Sequence, residues 1–315
     1  MKVTDFLENK NKTHFSFEII PPFRGGSIDK VFSLVEDLMR FDPPFIDLTS
    51  RSAEEYYQDD GDGNLVQHIR RKRPGTIGMS AAIKNKFNVE TVPHLLCSGF
   101  SKEETEDALI ELNYLGIKNV LAVRGDELRN DHNLSKSKNS NFYASDLVKQ
   151  IKDMNEGRYL EPLIDPFKSD FCIGVGGYPE KHFEAIDLKS DISRLKEKVD
   201  SGADYIVTQM FFDNKVYFDF VDKCRDEGIE IPIIPGIKIL STEKHLTALP
   251  KHFFIDLPKE LKDLTQLKTK NEIRNAGKKW AVKQIQELIE RDAPCIHLYI
   301  MASSKLASEV VSEFI

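Results

Sequence analysis

The chain has 315 residues, 40% apolar and 30% charged, with a formal net charge of -7 and a pI near 5.7. That balance supports a soluble globular fold and argues against a nucleic-acid scaffold, which needs a basic face to displace counterions from phosphate. No apolar stretch reaches the roughly 18 residues that cross a bilayer, and the charged segment Met1 to Lys12 lacks a signal-peptide apolar region.

Taken in chain order, apolar runs with strand character recur at Phe15 to Ile20, Phe45 to Thr49, Thr91 to Leu96, Asn119 to Val123, Phe171 to Val175, Tyr205 to Met210, Ile233 to Gly236 and Ile296 to Tyr299. Helix-period stretches follow most of them: Ile28 to Arg40, Lys102 to Leu115, Ala144 to Asn155, Asp187 to Ser201, Lys215 to Arg225 and Lys278 to Arg291. Alternation of this kind implies parallel βα units. Eight units, in a chain longer than the about 250 residues of a typical barrel, predict an α/β fold: a (β/α)8 TIM barrel forming a single domain over residues 1–315 with additional helices. An open doubly wound sheet would more often carry a glycine fingerprint. Gly174, Gly176 and Gly177 follow a strand, but Pro179 stands where the third glycine belongs.

The only dense basic run, Arg70 to Arg73, reads as a solvated helix end. Cys97, Cys172, Cys224 and Cys295 are dispersed and form no C-x-x-C pair, so neither a metal site nor a disulfide framework is expected, and a reducing cytoplasm is the simplest compartment.

Active sites of such barrels lie at the carboxyl ends of the strands. Alternation along the first run places Glu18 on the same face as Ser16, opposite Phe15, Phe17 and Ile19, and a carboxylate facing a barrel interior is costly unless paired or functional. Thr49 closes the second run and His94 lies in the third; a turn hydroxyl and a hydrogen-bonded core histidine explain them equally well. The fourth run leads into Arg124, Gly125 and Asp126, a turn able to grip a phosphate or a heterocycle. The polar stretch from there to Asn141 is too long for a routine βα connection and reads as a lid or a disordered excursion. Glycines after the fifth run let backbone approach a flat ligand that Tyr178 could stack on, with His182 within one turn. Asp191, Arg194 and Lys198 share one helix face, leaving an anion site and a solvated face both open. Gln209 offers an amide after the sixth run, and Lys238 follows the seventh.

Seven segments together resemble the flavin-dependent methylenetetrahydrofolate reductases of bacterial type, in that family's order and spacing: Phe15-Ser-Phe-Glu-Ile-Ile-Pro-Pro22, Pro93-His94-Leu-Leu-Cys97, Leu121-Ala-Val-Arg-Gly-Asp126, Tyr143-Ala-Ser-Asp-Leu-Val148, Gly177-Tyr-Pro-Glu-Lys-His182, Thr208-Gln-Met-Phe-Phe-Asp213 and Ile233-Ile-Pro-Gly-Ile237. The resemblance implies a barrel holding FAD, reduced by NADH or NADPH and then reducing 5,10-methylenetetrahydrofolate to 5-methyltetrahydrofolate for methionine synthesis. It implies Glu18 as the general acid toward N10 of folate and Asp126 as a charge beside flavin and pterin, both touching substrate, with Gln209 as an amide partner of folate and nicotinamide. Thr49, His94, Arg124, Gly125, Asp126, Tyr143, Ala144, Tyr178, His182, Asp191 and Lys198 fall on FAD-holding positions, as does Arg194 with a changed residue type.

The chain departs from the family at Ser50-Arg51, Glu197, His245 and Ser303, the last where an arginine is expected. It also implies no C-terminal regulatory domain after the barrel. Homo-oligomers are common among relatives of this length, yet no heptad or apolar stripe marks an interface. Two rival readings stand beside it: a Schiff-base aldolase or decarboxylase using Lys238, and a flavin- or folate-binding protein without turnover.

Overall fold

The computed structural model describes residues 1–8, 13–51, 54–61, 63–70, 72–125, 139–266 and 269–315. Each of the eight apolar runs forms a strand, as expected of parallel strands covered on both faces. They are β1 (Phe15–Ile19), β2 (Phe45–Leu48), then, after the antiparallel hairpin β3 (Glu54–Asp59) and β4 (Leu65–Arg70), β5 (Glu90–Leu96), β6 (Asn119–Val123), β7 (Cys172–Gly177), β8 (Tyr205–Thr208), β9 (Ile233–Ile234), β10 (Gly236–Ile237) and β11 (Ile296–Met301).

The parallel sheet runs in the order β10-β11-β1-β2-β5-β6-β7-β8-β9. Strands β9 and β10 are separated only by Pro235, which has no N–H to give to a ladder. They pair with β8 and β11 respectively, so they are two halves of one strand position and the sheet closes into a (β/α)8 ring.

Around the ring lie α1 (Val3–Leu7), α2 (Asp29–Met39), α3 (Ile77–Phe87), α4 (Lys102–Tyr114), α5 (Ala144–Asn155), α6 (Leu188–Asp200), α7 (Asn214–Asp226), α8 (Glu243–Phe253), α9 (Lys259–Lys262), α10 (Lys270–Glu290) and α11 (Lys305–Val311). Among the described residues none is long and apolar enough to cross a membrane.

Two cores result. The outer one lies between strands and helices, where Phe17, Ile46, Val120 and Ile173 meet Val35, Leu109, Leu147 and Leu195. The inner one fills the lower barrel with Phe45, Val92, Leu121, Tyr205 and Val207, and Val3 and Leu7 of α1 close its floor. The Val3 N–H donates to Asn119 Oδ1 at 2.8 Å, tying α1 to the start of β6. Gly174 makes room for this filling: a Cβ there would stand 2.4 Å from the Tyr205 ring.

The hairpin corrects one expectation. Arg70 ends a strand, not a helix, and Arg73 beyond it donates to the Pro21 carbonyl and lies 4.0 Å from the Phe23 ring centroid; Arg71 is outside the described residues.

Candidate active site

Register, which couples strands far apart in sequence, assembles the mouth of the barrel. Glu18 is level with Asp47 on β2 and Tyr299 on β11, and Ser16 is level with His297. The Thr49 hydroxyl donates to Glu18 Oε1 at 2.7 Å, and His94 Nε2 stands 3.6 Å from Glu18 Oε2 and 3.4 Å from Asp47 Oδ2. His297 Nε2 approaches Glu18 Oε2 to 4.0 Å while its Nδ1 shares a 2.8 Å hydrogen bond with the Ser16 hydroxyl. All of these groups except Thr49 and Tyr299 are buried, and Asp47 is fully so, with no hydrogen-bond partner for either carboxylate oxygen among the described residues.

Burial alone would raise the Glu18 carboxyl, but the His297 and His94 imidazoles and the Thr49 hydroxyl outweigh it and hold the group below the usual range. Burial likewise works against charge on His94, yet Asp47 and Glu18 together raise it. The two directions together favour a Glu18 carboxylate beside a His94 imidazolium, with Asp47 on the far side of the ring. Such a cluster can deliver a proton to a bound molecule through Glu18, the member nearest the mouth.

On the β6–β7 side the structure brings a second set together. Arg124 forms a bidentate pair with Glu184, at 2.6 and 2.8 Å, and Gly125 takes a positive φ of 84°. Tyr178 packs edge-on against His182, and Lys198 reaches over the Tyr178 ring to donate to the Gly176 carbonyl at 2.8 Å. Asp191 accepts the His182 N–H at 2.9 Å. Burial lowers the Lys198 amine and the His182 imidazole, and Arg124 lowers both further, so the three basic groups lie within electrostatic reach of one another.

Arg194 does not join them: it is exposed on α6 and pairs with Glu197 at 3.2 Å. Tyr143 caps α5 with an exposed side chain, and Ala144 opens that helix, buried. Asp126, and with it residues 126–138 of the stretch to Asn141 that reads as a lid or a disordered excursion, lie outside the described residues.

The remaining side carries Gln209, whose N–H bonds the Gly177 carbonyl, and Lys238, whose amine donates to the Tyr299 carbonyl at 2.7 Å. Tyr299 OH donates to the Thr208 carbonyl at 2.6 Å. His245 Nδ1 accepts from the Ser241 N–H, and Ser303 is exposed.

Sequence reasoning missed Asp47, His297, Glu184 and Tyr299 as site residues. The alternation that singled out Glu18 was available for three of them. It sets Asp47 on the face of Phe45, and His297 with Tyr299 on the face opposite Leu298.

Fold and site define a (β/α)8 barrel with a buried acid–imidazole cluster at the carboxyl-end mouth and a basic cradle beside it. The chain belongs to the methylenetetrahydrofolate reductase family, whose model matches residues 2–314. It is 31% identical over 317 residues to methylenetetrahydrofolate reductase 1 of Schizosaccharomyces pombe, a match covering 99% of this chain and 48% of that protein. It is 30% identical over 321 residues to methylenetetrahydrofolate reductase (NADH) 1 of Arabidopsis thaliana, covering 98% of this chain and 50% of that one. The chain thus spans about half the length of these relatives. Among solved structures, a Clostridium thermocellum protein described as binding two copies of 5-methyl-5,6,7,8-tetrahydrofolic acid shares the fold, with a TM-score of 0.62 at 15% identity over 99% of each chain.

Proposed function

We propose that this barrel reduces 5,10-methylenetetrahydrofolate to 5-methyltetrahydrofolate in two half-reactions, with FAD as the bound cofactor and NADH or NADPH as the reductant, in the cytoplasm. The observation that carries the reading is the Glu18 cluster: a carboxyl at the mouth, backed by a raised imidazole and by the Thr49 hydroxyl. Folate must open its methylene bridge by protonation at N10 before its one-carbon unit can accept hydride, and a buried acid fed by a neighbouring imidazolium suits that task.

The residues fit FAD. Arg124 and Lys198 supply cations and His182 a neutral ring N–H for a diphosphate, with Glu184 now occupying the Arg124 fork. At Gly176 a Cβ would meet nothing within 4 Å, so the backbone there leaves space for a flat ring beside Tyr178. When bound, FAD supplies the hydride carrier. Thr49 and His94 would hold the flavin from the Glu18 side, Gly125, Tyr143 and Ala144 from the β6 side, and Asp191 through His182. Asp126 is assigned the charge that stabilises cationic folate, and Gln209 an amide contact to folate and nicotinamide. Arg194, neutralised by Glu197, contributes least.

The test is the visible spectrum of the purified protein under anaerobic conditions. A flavin spectrum bleached by NADH or NADPH and restored by methylenetetrahydrofolate is expected. Flavin that neither nucleotide bleaches would remove the nicotinamide step, and no flavin after incubation with FAD would remove the whole reading.

A further inference from the structure

The bottom of the barrel, where the strands begin, carries a surface that the reductase reading does not use. Residues 156–171, between α5 and β7, form neither helix nor strand, although connections of this kind usually take about 2–6 residues. The segment is nevertheless held in one shape. Its ends are pinned by Asn155, which accepts from the Ser169 hydroxyl and the Phe171 N–H, both at 2.8 Å, and donates to the Phe171 carbonyl at 2.9 Å. Its middle is pinned by the Tyr159 hydroxyl, which donates to the Phe167 carbonyl at 2.8 Å, and by the Leu160 N–H, which donates to Glu106 on α4 at 2.8 Å.

What this braced segment displays is apolar. Phe167 is 67% exposed and Ile164 fully so, with Leu160 and Leu163 also exposed. Tyr114, 81% exposed and within electrostatic reach of Tyr159, and Leu115 continue the patch onto the end of α4. With about 150–250 Å² for an aromatic side chain alone, the six expose on the order of 600 Å², the upper end for a monomer's largest patch and near the roughly 800 Å² per partner of a standard interface.

The same face holds a socket and a knob. The socket is a cavity of about 120 Å³ between the end of α4 and residues 167–171, walled by Ile117, Phe167 and Phe171, with room for one aliphatic side chain. Lys118 and Lys168 also line it, and the one carboxylate among its lining residues, Asp170, is shared between Lys2 at 2.5 Å and Lys118 at 3.5 Å, so the rim is cationic. The knob is Ile164, the most exposed of the six, flanked by the exposed carboxylates Glu161 and Asp165. An acid-flanked knob and a base-rimmed socket on one surface suit a two-fold axis, across which each copy supplies the part that the other receives.

We propose that two copies of this chain associate through this face, Ile164 of each filling the cavity beside Phe167 of the other, with Glu161 and Asp165 set against Lys118 and Lys168. The face lies at the strand starts, away from Glu18 and the basic cradle, so association leaves the mouth of each barrel open.

The experiment measures the mass in solution of the purified protein, with FAD present, by light scattering and sedimentation across roughly 0.1–100 μM. It compares the natural sequence with Ile164→Asp, Lys168→Glu and the double variant Glu161→Lys with Lys168→Glu. We expect the natural protein to pass from one copy to two within that range, Ile164→Asp to weaken association at least about a hundredfold, and Lys168→Glu to weaken it about tenfold. The charge-exchanged pair should recover most of the second loss, and flavin content should be the same in all four. Ile164 and Lys168 are exposed, so their replacement leaves the fold intact. A mass of one copy at every concentration overturns the inference and leaves the patch to a partner of another sequence. An assembly that Ile164→Asp does not loosen overturns it as well, by placing the interface elsewhere.

Discussion

The lower and upper levels of the barrel interior are built on the same strands from opposite chemistry. Below lie Phe45, Val92, Leu121, Tyr205, Val207 and Cys295, with α1 beneath them. Two residues beyond Phe45 and Cys295 in the chain stand Asp47 on β2 and His297 on β11, equally buried, facing His94 and Glu18 respectively. Each large apolar side chain below contributes about 1.5–3 kcal/mol. Above, every ionised group carries a desolvation cost that its neighbours offset only in part. Stability is therefore concentrated at the floor and chemistry at the mouth, the division expected of barrels whose loops follow the carboxyl ends of the strands.

The largest effect should come from the floor. Phe45→Ala removes a fully buried ring with little means of collapse and is expected to cost about 3–5 kcal/mol in urea unfolding. A loss under about 1 kcal/mol would mean that the floor is not the stabilising level. Next, Glu18→Gln should slow the folate half-reaction at least about a hundredfold while leaving flavin reduction by NADH nearly unchanged, because only the former needs a proton from this group. Stopped-flow traces of the two halves separate these outcomes; equal slowing of both would break the contrast.

How much of this was legible follows from what each feature depends on. The strands were legible because a strand covered on both faces is apolar throughout, and Glu18 because it interrupts such a run. The hairpin Glu54–Arg70 was not, since its exposed Leu65, Val66, Tyr56 and Tyr57 lack the apolar continuity of the barrel strands. The partnership of Glu18 with His94 and His297 depends on register between strands separated by up to 281 positions, as for Ser16 and His297, and no local pattern encodes it. The shared face of Asp191, Arg194 and Lys198 was legible, but its division was not: Lys198 turns inward to Gly176, whereas Arg194 turns out to Glu197, a residue four positions before Ser201 near the helix end.

A smaller effect sharpens the contrast at the upper level. Asp47 raises the His94 imidazole, so its contribution is fully present below the usual value of 6.5 and is lost as pH rises through the raised one. Above that point the imidazole is neutral, and Asp47 is left among polar groups without a hydrogen bond. Asp47→Asn should therefore be less stable than the natural protein in the acid range and more stable, by about 1 kcal/mol, in the alkaline range. Thermal unfolding across pH would show the two curves crossing; a variant less stable at every pH would make Asp47 a structural residue like those of the floor.

The smallest effect concerns the basic cradle. The Arg124 guanidinium now binds the Glu184 carboxylate through both nitrogens, and Arg124 is the first cause holding that carboxyl below its usual range. A cofactor phosphate taking the same fork must displace Glu184, and part of its binding free energy is spent doing so. Glu184→Gln keeps the shape and removes the competing charge, so FAD should bind the apoprotein about three- to tenfold more tightly, the gain shrinking in high salt because the pair is partly exposed. Fluorescence titration of apoprotein with FAD measures it. Weaker binding in the variant would mean that Glu184 positions Arg124 for the cofactor, and the carboxylate would then belong to the site as a brace rather than as a competitor.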